Sequence, residues 1–199
     1  MIKTSDKDNS SNKENYDFKT YKISAGSYDL NKWLHGGYGL DVITTLYGGP
    51  GTGKTNFVIL TAVSQAKKGS KVLFIDTEGG FSSERVKQVV GKDNGVSYNE
   101  VLKNILILKP INFAEQKKIF DQLLTYVKQQ VSLIIVDGMT MLYRLEFADA
   151  REKDIANIQS VNSELTKQMR LLAEISRKQN IPVIVTNQVY NWENESKMV

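Results

Sequence analysis

A chain of 199 residues, 41% hydrophobic and 24% charged, has enough apolar material for one well-buried domain, and this composition excludes wholesale disorder, a collagen-like repeat and a coiled rod. Cysteine is absent and histidine occurs once, at His35, so a disulfide framework, a thiolate metal site and a multi-histidine zinc site are excluded. Lys and Arg total 26 against 22 Asp and Glu, and the resulting +4 tilts the chain mildly towards polyanions.

Residues 1–20 are mostly Lys, Asp, Asn and Ser, too poor in apolar positions to offset the entropy of ordering, and are expected to form a flexible polar tail. No secretory signal opens the chain, and no segment approaches the ~20 apolar residues that cross a bilayer. The expectation is a cytoplasmic protein without membrane contact. From Tyr21 onward, short runs rich in Val, Ile and Leu alternate with stretches of helical length, the pattern of an α/β domain with a mainly parallel sheet and helices on both faces. Leu30 to Leu34 is a short amphipathic stretch, and His35, before Gly36 and Gly37, reads as a turn residue rather than a catalytic one.

The first buried run, Val42 to Tyr47, leads directly into Gly48 Gly49 Pro50 Gly51 Thr52 Gly53 Lys54 Thr55, a complete G-x-x-x-x-G-K-T followed by a helical stretch. The glycines allow a tight turn whose amides point inward, so that a phosphate chain lies among donors at the positive end of the next helix. Main-chain NH groups between Tyr47 and Asn56 would grip a triphosphate, with Lys54 on its outer phosphates and the Thr55 hydroxyl on Mg²⁺. A ligand-free glycine turn is the competing reading, disfavoured because the motif and both flanking elements agree.

The second run, Val72 to Ile75, ends in Asp76 Thr77 Glu78 Gly79 Gly80. Two carboxylates at a strand end can polarise an attacking water, and Glu78 is assigned that role, with Asp76 structural or near the metal. The third run is Ile105 to Leu108, followed by helical spacing at Phe120, Leu123, Leu124 and Val127. The fourth, Leu133 to Val136, ends in Asp137, placed where a Walker B carboxylate orients metal-bound water. Helical spacing returns at Val161, Leu165, Met169 and Leu172, and the last run, opened by Pro182, extends to Thr186 before Asn187 and Gln188. Gln188 is either a contact to a γ-phosphate or a turn amide bonded to its own backbone, and the residues alone leave both open. Asp76 to Gly79 also satisfies D-x-x-G. A guanine-reading N-K-x-D is missing at the late strand end, which favours ATP over GTP.

Asp76 Thr77 Glu78 Gly79 Gly80 Phe81 Ser82 Ser83 Glu84 Arg85 resembles the D-T-E-G-x-F-x-P-E-R segment of the RecA and RadA recombinases, with Ser83 in place of the usual proline. Ile135 Val136 Asp137 with Tyr143 Arg144, and Thr186 Asn187 Gln188 Val189 Tyr190, complete the pattern. Because the core begins at once with Ile23 Ser24 Ala25 Gly26 Ser27, the chain is similar, within that family, to the short, RadB-like archaeal branch. The resemblance runs from about Tyr21 to Val199. It implies a RecA-like P-loop NTPase fold and a weak, DNA-dependent ATPase that uses ATP and Mg²⁺. It also implies binding to single- or double-stranded DNA and assistance to a RadA-like recombinase, with homo-oligomerisation as a further expectation. By the same resemblance, Arg85 lies against adenine, Glu78 activates water, and Gln188 couples nucleotide state to a DNA-binding loop.

Several positions depart from the family pattern. Gly138 stands where a serine usually follows the Walker B Asp, so a hydroxyl near the metal is lost and turnover is expected to be lower. Leu145 to Asn162 corresponds to a DNA-touching loop, with Arg151 and Lys153 as candidate contacts, but the interleaved Asp149, Glu152 and Asp154 favour a solvated charged face. Phe147 to Ala150 spells the F-x-x-A by which recombinase protomers link, in a position that makes coincidence the preferred reading. The core, residues 21–199, ends at Lys197 Met198 Val199, and is expected to lack its last strands and to expose an unpaired sheet edge. Two rivals stand beside the recombinase reading: an ATP-gated mediator that does not hydrolyse, and a regulatory ATPase of the RecA superfamily with protein partners.

Overall fold

The computed structural model describes residues 22–91 and 95–189. The predicted tail and the chain after Val189 lie outside the described residues. β1 (Lys22–Ile23) and β2 (Tyr38–Gly39) form a small antiparallel ribbon around α1 (Tyr28–Trp33), which Ser27 caps by accepting the Leu30 N–H. His35 comes next in a turn at φ 52.

The main sheet contains β3 (Ile43–Gly48), β4 (Lys71–Asp76), β5 (Ile105–Leu108), β6 (Val131–Asp137) and β7 (Val183–Gln188), in the order β3-β7-β6-β4-β5, with every pairing parallel. Each predicted run forms one of these strands. β5 matches its run, whereas β4, β6 and β7 extend past theirs and end on Asp76, Asp137 and Gln188. At the other ends, two strands start later than predicted. Val42 precedes β3 and accepts the Val183 N–H at 3.4 Å, and Pro182 precedes β7 and accepts the Ile134 N–H at 3.1 Å.

Successive side chains on β4 and β6 point to opposite faces, and both faces are buried. Phe74 and Ile135 pack with Val58, Ile59, Ala62 and Val63 of α2 (Lys54–Ala66) and with Val86 and Val90 of α3 (Ser83–Val90), with α4 (Tyr98–Lys103) beyond. Leu73, Ile75, Ile134 and Val136 pack on the other face with Phe120, Leu123, Leu172 and Ile175, from α5 (Phe113–Asp121), α6 (Leu123–Val127) and α8 (Ile155–Gln179). The apolar spacing from Phe120 to Val127 predicted one continuous helix. The chain instead breaks at Gln122, whose N–H is shared between the Lys118 and Ile119 carbonyls, and Leu124 is left exposed.

The stretch Leu145 to Asn162 is a correction to the sequence expectation. It is not a loop, because it comprises the end of α7 (Met141–Arg151), a short turn and the start of α8, while Asp149, Glu152 and Asp154 are exposed as the solvated charged face requires. Arg151 and Lys153 are exposed at that turn, while Ala150 is buried with Phe113, Leu142 and Val161. Phe147 lies 5.8 Å from Tyr143, ring to ring, on the same cluster. The F-x-x-A spelling is therefore used to seat α7 on its own domain.

Candidate functional site

β3 delivers the chain into the glycine-rich loop and α2 takes it up at Lys54. Gly51 and Gly53 adopt φ +71 and +89, a region L residues rarely enter, and a Cβ on either would meet nothing within 4 Å. The loop is thus shaped by backbone conformation around open space. Gly53 caps α2 without a side-chain acceptor and no acid sits in its first turn, whereas side chains cap α1, α3, α4, α5 and α8. The first-turn amides of α2 are left for an anion.

Within the loop, Thr52 Oγ1 donates to the Gly49 carbonyl at 2.9 Å, and Lys54 Nζ donates to the carbonyls of Gly48 and Gly49 at 3.0 and 2.8 Å. Pro50 and Asn56 are exposed, on the loop and on the first turn of α2. The Gly48 carbonyl also accepts the Val189 N–H at 3.1 Å, tying the loop to the end of β7.

Asp137 is 1% exposed. Its Oδ2 accepts from Thr55 Oγ1 at 2.8 Å and its Oδ1 from Thr186 Oγ1 at 2.6 Å. Burial pushes the Asp137 carboxyl above the usual aspartate range; the two threonine hydroxyls oppose that shift, and the nearby Glu78 and Asp76 charges add to it. A buried carboxylate held above its ordinary pKa beside a hydroxyl and a phosphate loop is a setting that a hard divalent cation would relieve. Among the described residues no cluster of three or more His, Cys, Asp or Glu side chains could hold a metal ion. This donor set suits Mg²⁺ arriving on phosphates and keeping water ligands, with Thr55 and Asp137 as the protein's oxygens.

Glu78 stands on the turn after β4, half-buried, and its Oε2 accepts from Gln188 Nε2 at 2.7 Å. The second of the two sequence readings of Gln188, an amide bonded to its own backbone, is not what this contact displays. Asp76 accepts the N–H groups of Gly80 and Phe81 at 3.0 and 3.1 Å and pairs with Lys109 at 3.6 Å, so it fixes the turn that carries Glu78. Phe81 then packs edge-on against Phe74 at 4.9 Å. Gly138 has φ +84, and a Cβ there would lie 2.5 Å from Thr77 Oγ1 and 2.6 Å from Glu78 Cγ. A serine on this backbone would collide with both neighbours.

Arg85 is not drawn to the loop by any hydrogen bond or ion pair of the described residues. Its Nη1 donates to Gln88 Oε1 at 3.0 Å on its own helix. Three participants escaped the sequence reading: Thr77, whose hydroxyl reaches the Asp137 and Gly138 carbonyls at 2.9 and 2.7 Å, Thr186, and Lys109. Each acts through the pairing of β4 with β6 and β5, and of β6 with β7, which no local pattern announces.

Fold and loop together define a P-loop nucleotide-binding α/β domain of the RecA-like type. The family profile named Rad51 matches residues 18–199. The chain is similar to the DNA repair and recombination protein RadB of Methanocaldococcus jannaschii, at 40% identity over 83% of this chain and 74% of that protein. It is also similar to the RadB of Methanobrevibacter smithii, at 33% over 90% and 73%, and to that of Thermococcus gammatolerans, at 37% over 84% and 70%. The chain belongs to the Rad51 family, as a RadB-like archaeal member of the RecA and RadA recombinases.

Proposed function

We propose that this chain binds ATP with Mg²⁺, hydrolyses it slowly, and acts on DNA in repair and homologous recombination as a recombinase paralogue or mediator. The observation that carries the reading is the meeting of Lys54, Thr55, Asp137 and Glu78 at one sheet edge beside an uncapped helix N-terminus. The names of the related RadB proteins support the DNA side, and a RadA-like recombinase and further copies of this chain are the partners that fit. No helix among the described residues is long and apolar enough to cross a membrane. A cytoplasmic site of action is consistent with that.

Mg²⁺ would neutralise charge on the transferring phosphoryl group. The remaining work falls to side chains and amides of this chain. The amides of Gly51 to Thr55 bind phosphate oxygens, with Gly48 and Gly49 leading the chain in and Pro50, Thr52 and Asn56 shaping the rim of the loop. Lys54 has three donors, of which the Gly48 and Gly49 carbonyls hold two, and the third serves the outer phosphates. Arg85, planar and always charged, is assigned to the adenine ring. Glu78 accepts the proton of the attacking water, and Gln188 relays its position to the chain beyond β7.

Binding of a fluorescent ATP analogue with Mg²⁺ to the folded chain tests the reading. Lys54→Ala should weaken it about 100-fold, the loss expected from ~3 kcal/mol of charge-assisted hydrogen bonding. No association with the wild-type chain would overturn the proposal. DNA binding is measured separately, as the salt dependence of association with a labelled oligonucleotide. The ATP-gated reading is favoured by one contact, the Gln188 amide on the Glu78 carboxylate, which joins the assigned base to the end of β7. Glu78→Gln separates the two: recombination assistance that survives without hydrolysis supports gating.

A further inference from the structure

Thr186 is fully buried where β7 passes from Val and Ile to polar residues, and the nucleotide chemistry assigned to Lys54, Glu78 and Gln188 makes no use of it. We infer that Thr186 is a positioning residue for the metal-facing carboxylate: its hydroxyl fixes one oxygen of Asp137 so that the other is presented to Thr55 and to the Mg²⁺ of a bound nucleotide. The inference rests on the ATP·Mg²⁺ reading.

The direction of the bonds is set by the donor inventory. The Gly138 N–H can only donate, and it reaches Thr186 Oγ1 at 2.8 Å. The Thr186 oxygen therefore accepts from Gly138, and its single proton goes to Asp137 Oδ1 at 2.6 Å. Thr55 then finds Oδ2 at 2.8 Å and keeps its lone pairs for a cation. With Thr186 at 0% and Asp137 at 1% exposure, water has no access to replace the hydroxyl. Strand register delivers the pair, because Val136 opposite Val185 brings the next residues of β6 and β7 side by side, and the Met139 N–H on the Thr186 carbonyl at 3.0 Å locks the turn. The three preceding positions of β7 are Val183, Ile184 and Val185, so a valine at 186 would continue the β-branched run and keep the shape of the side chain while losing both hydroxyl bonds. Only the hydroxyl distinguishes threonine here, and both of its bonds serve the Asp137–Gly138 corner.

The test is a Mg²⁺ titration of fluorescent ATP-analogue binding on the full chain, with binding in EDTA as the metal-free reference. Thr186→Val should raise the Mg²⁺ needed for half-saturation about 10- to 100-fold, as loss of a ligand-orienting partner does, while Thr186→Ser stays within about threefold of wild type and EDTA binding is unchanged. If the valine variant does not fold by circular dichroism, Thr186→Ser against Thr186→Ala gives the same comparison, since both lack the methyl and differ only in the hydroxyl. A hydroxyl-free variant that titrates like wild type, a serine variant that fails like valine, or an equal loss in EDTA would each overturn the inference. Absence of Mg²⁺-dependent binding in the wild-type chain would instead remove the ATP·Mg²⁺ reading beneath it.

Discussion

The two flanks of the phosphate loop differ sharply. Towards β6 and β4, Asp137, Thr186, Thr77 and Asp76 are buried and bonded to one another or to main chain, so each side chain is specified by its neighbours. On the other flank β3 is an edge strand among the described residues, and Tyr47 and Trp33, each 74% exposed, stand with Phe57 beside a cleft of ≈ 640 Å³ that reaches Gly48, Thr52 and Lys54. The first flank is a finished hydrogen-bonded assembly, where any change of size or charge is felt. The second is apolar surface whose residues have little to lose on substitution. The side chains that need fixed geometry sit on the first, and the second exposes large apolar side chains beside the loop.

The contrast is broken most severely at Gly138. Gly138→Ala adds a left-handed non-glycine residue and a methyl 2.5 Å from Thr77 Oγ1, and should cost about 3 kcal/mol or more, measured by urea denaturation. Asp137→Asn comes next. Because the folded pKa of Asp137 is raised, folding takes up a proton between the unfolded value, ~3.9, and the raised one. As far as this group is concerned, stability is greatest below that window and falls as pH rises through it. The asparagine variant should lack this slope and, free of ligand at neutral pH, melt above wild type, as read by circular dichroism. It should also lose Mg²⁺-dependent nucleotide binding. A melting temperature below wild type at neutral pH would contradict the strained-carboxylate reading.

The smallest effect belongs to the open flank. Tyr47→Ser should change unfolding free energy by no more than about 0.5 kcal/mol, while reducing any self-association seen by sedimentation. A large loss of stability would mean that the exposed ring is structural and would sharpen the boundary between the flanks.

The same division explains what the sequence made legible. The strands, their parallel order of appearance, the phosphate loop and the acids at strand ends are encoded by local apolar runs and by a motif of fixed spacing, and all were readable from residues 42–188. The role of Asp76 was half-readable: a strand-end acid before Gly79 and Gly80 suggests a turn anchor, but its Lys109 partner lies just beyond β5 and required the sheet order. Thr77 and Thr186 were invisible because their bonds cross between strands distant in the chain. The break at Gln122 escaped because the apolar spacing runs through it unchanged. The helical character of 145–162 was obscured by charge, which said where solvent lies and nothing of backbone. Arg85 remains assigned by resemblance, with its guanidinium turned to Gln88 in this structure.

One oxygen links the loop to the chain leaving the sheet. The Gly48 carbonyl accepts both the Lys54 ammonium and the Val189 amide. The lysine of the loop and the amide that follows β7 thus share one main-chain acceptor, so a rotation of the Gly48 peptide would disturb both partners at once.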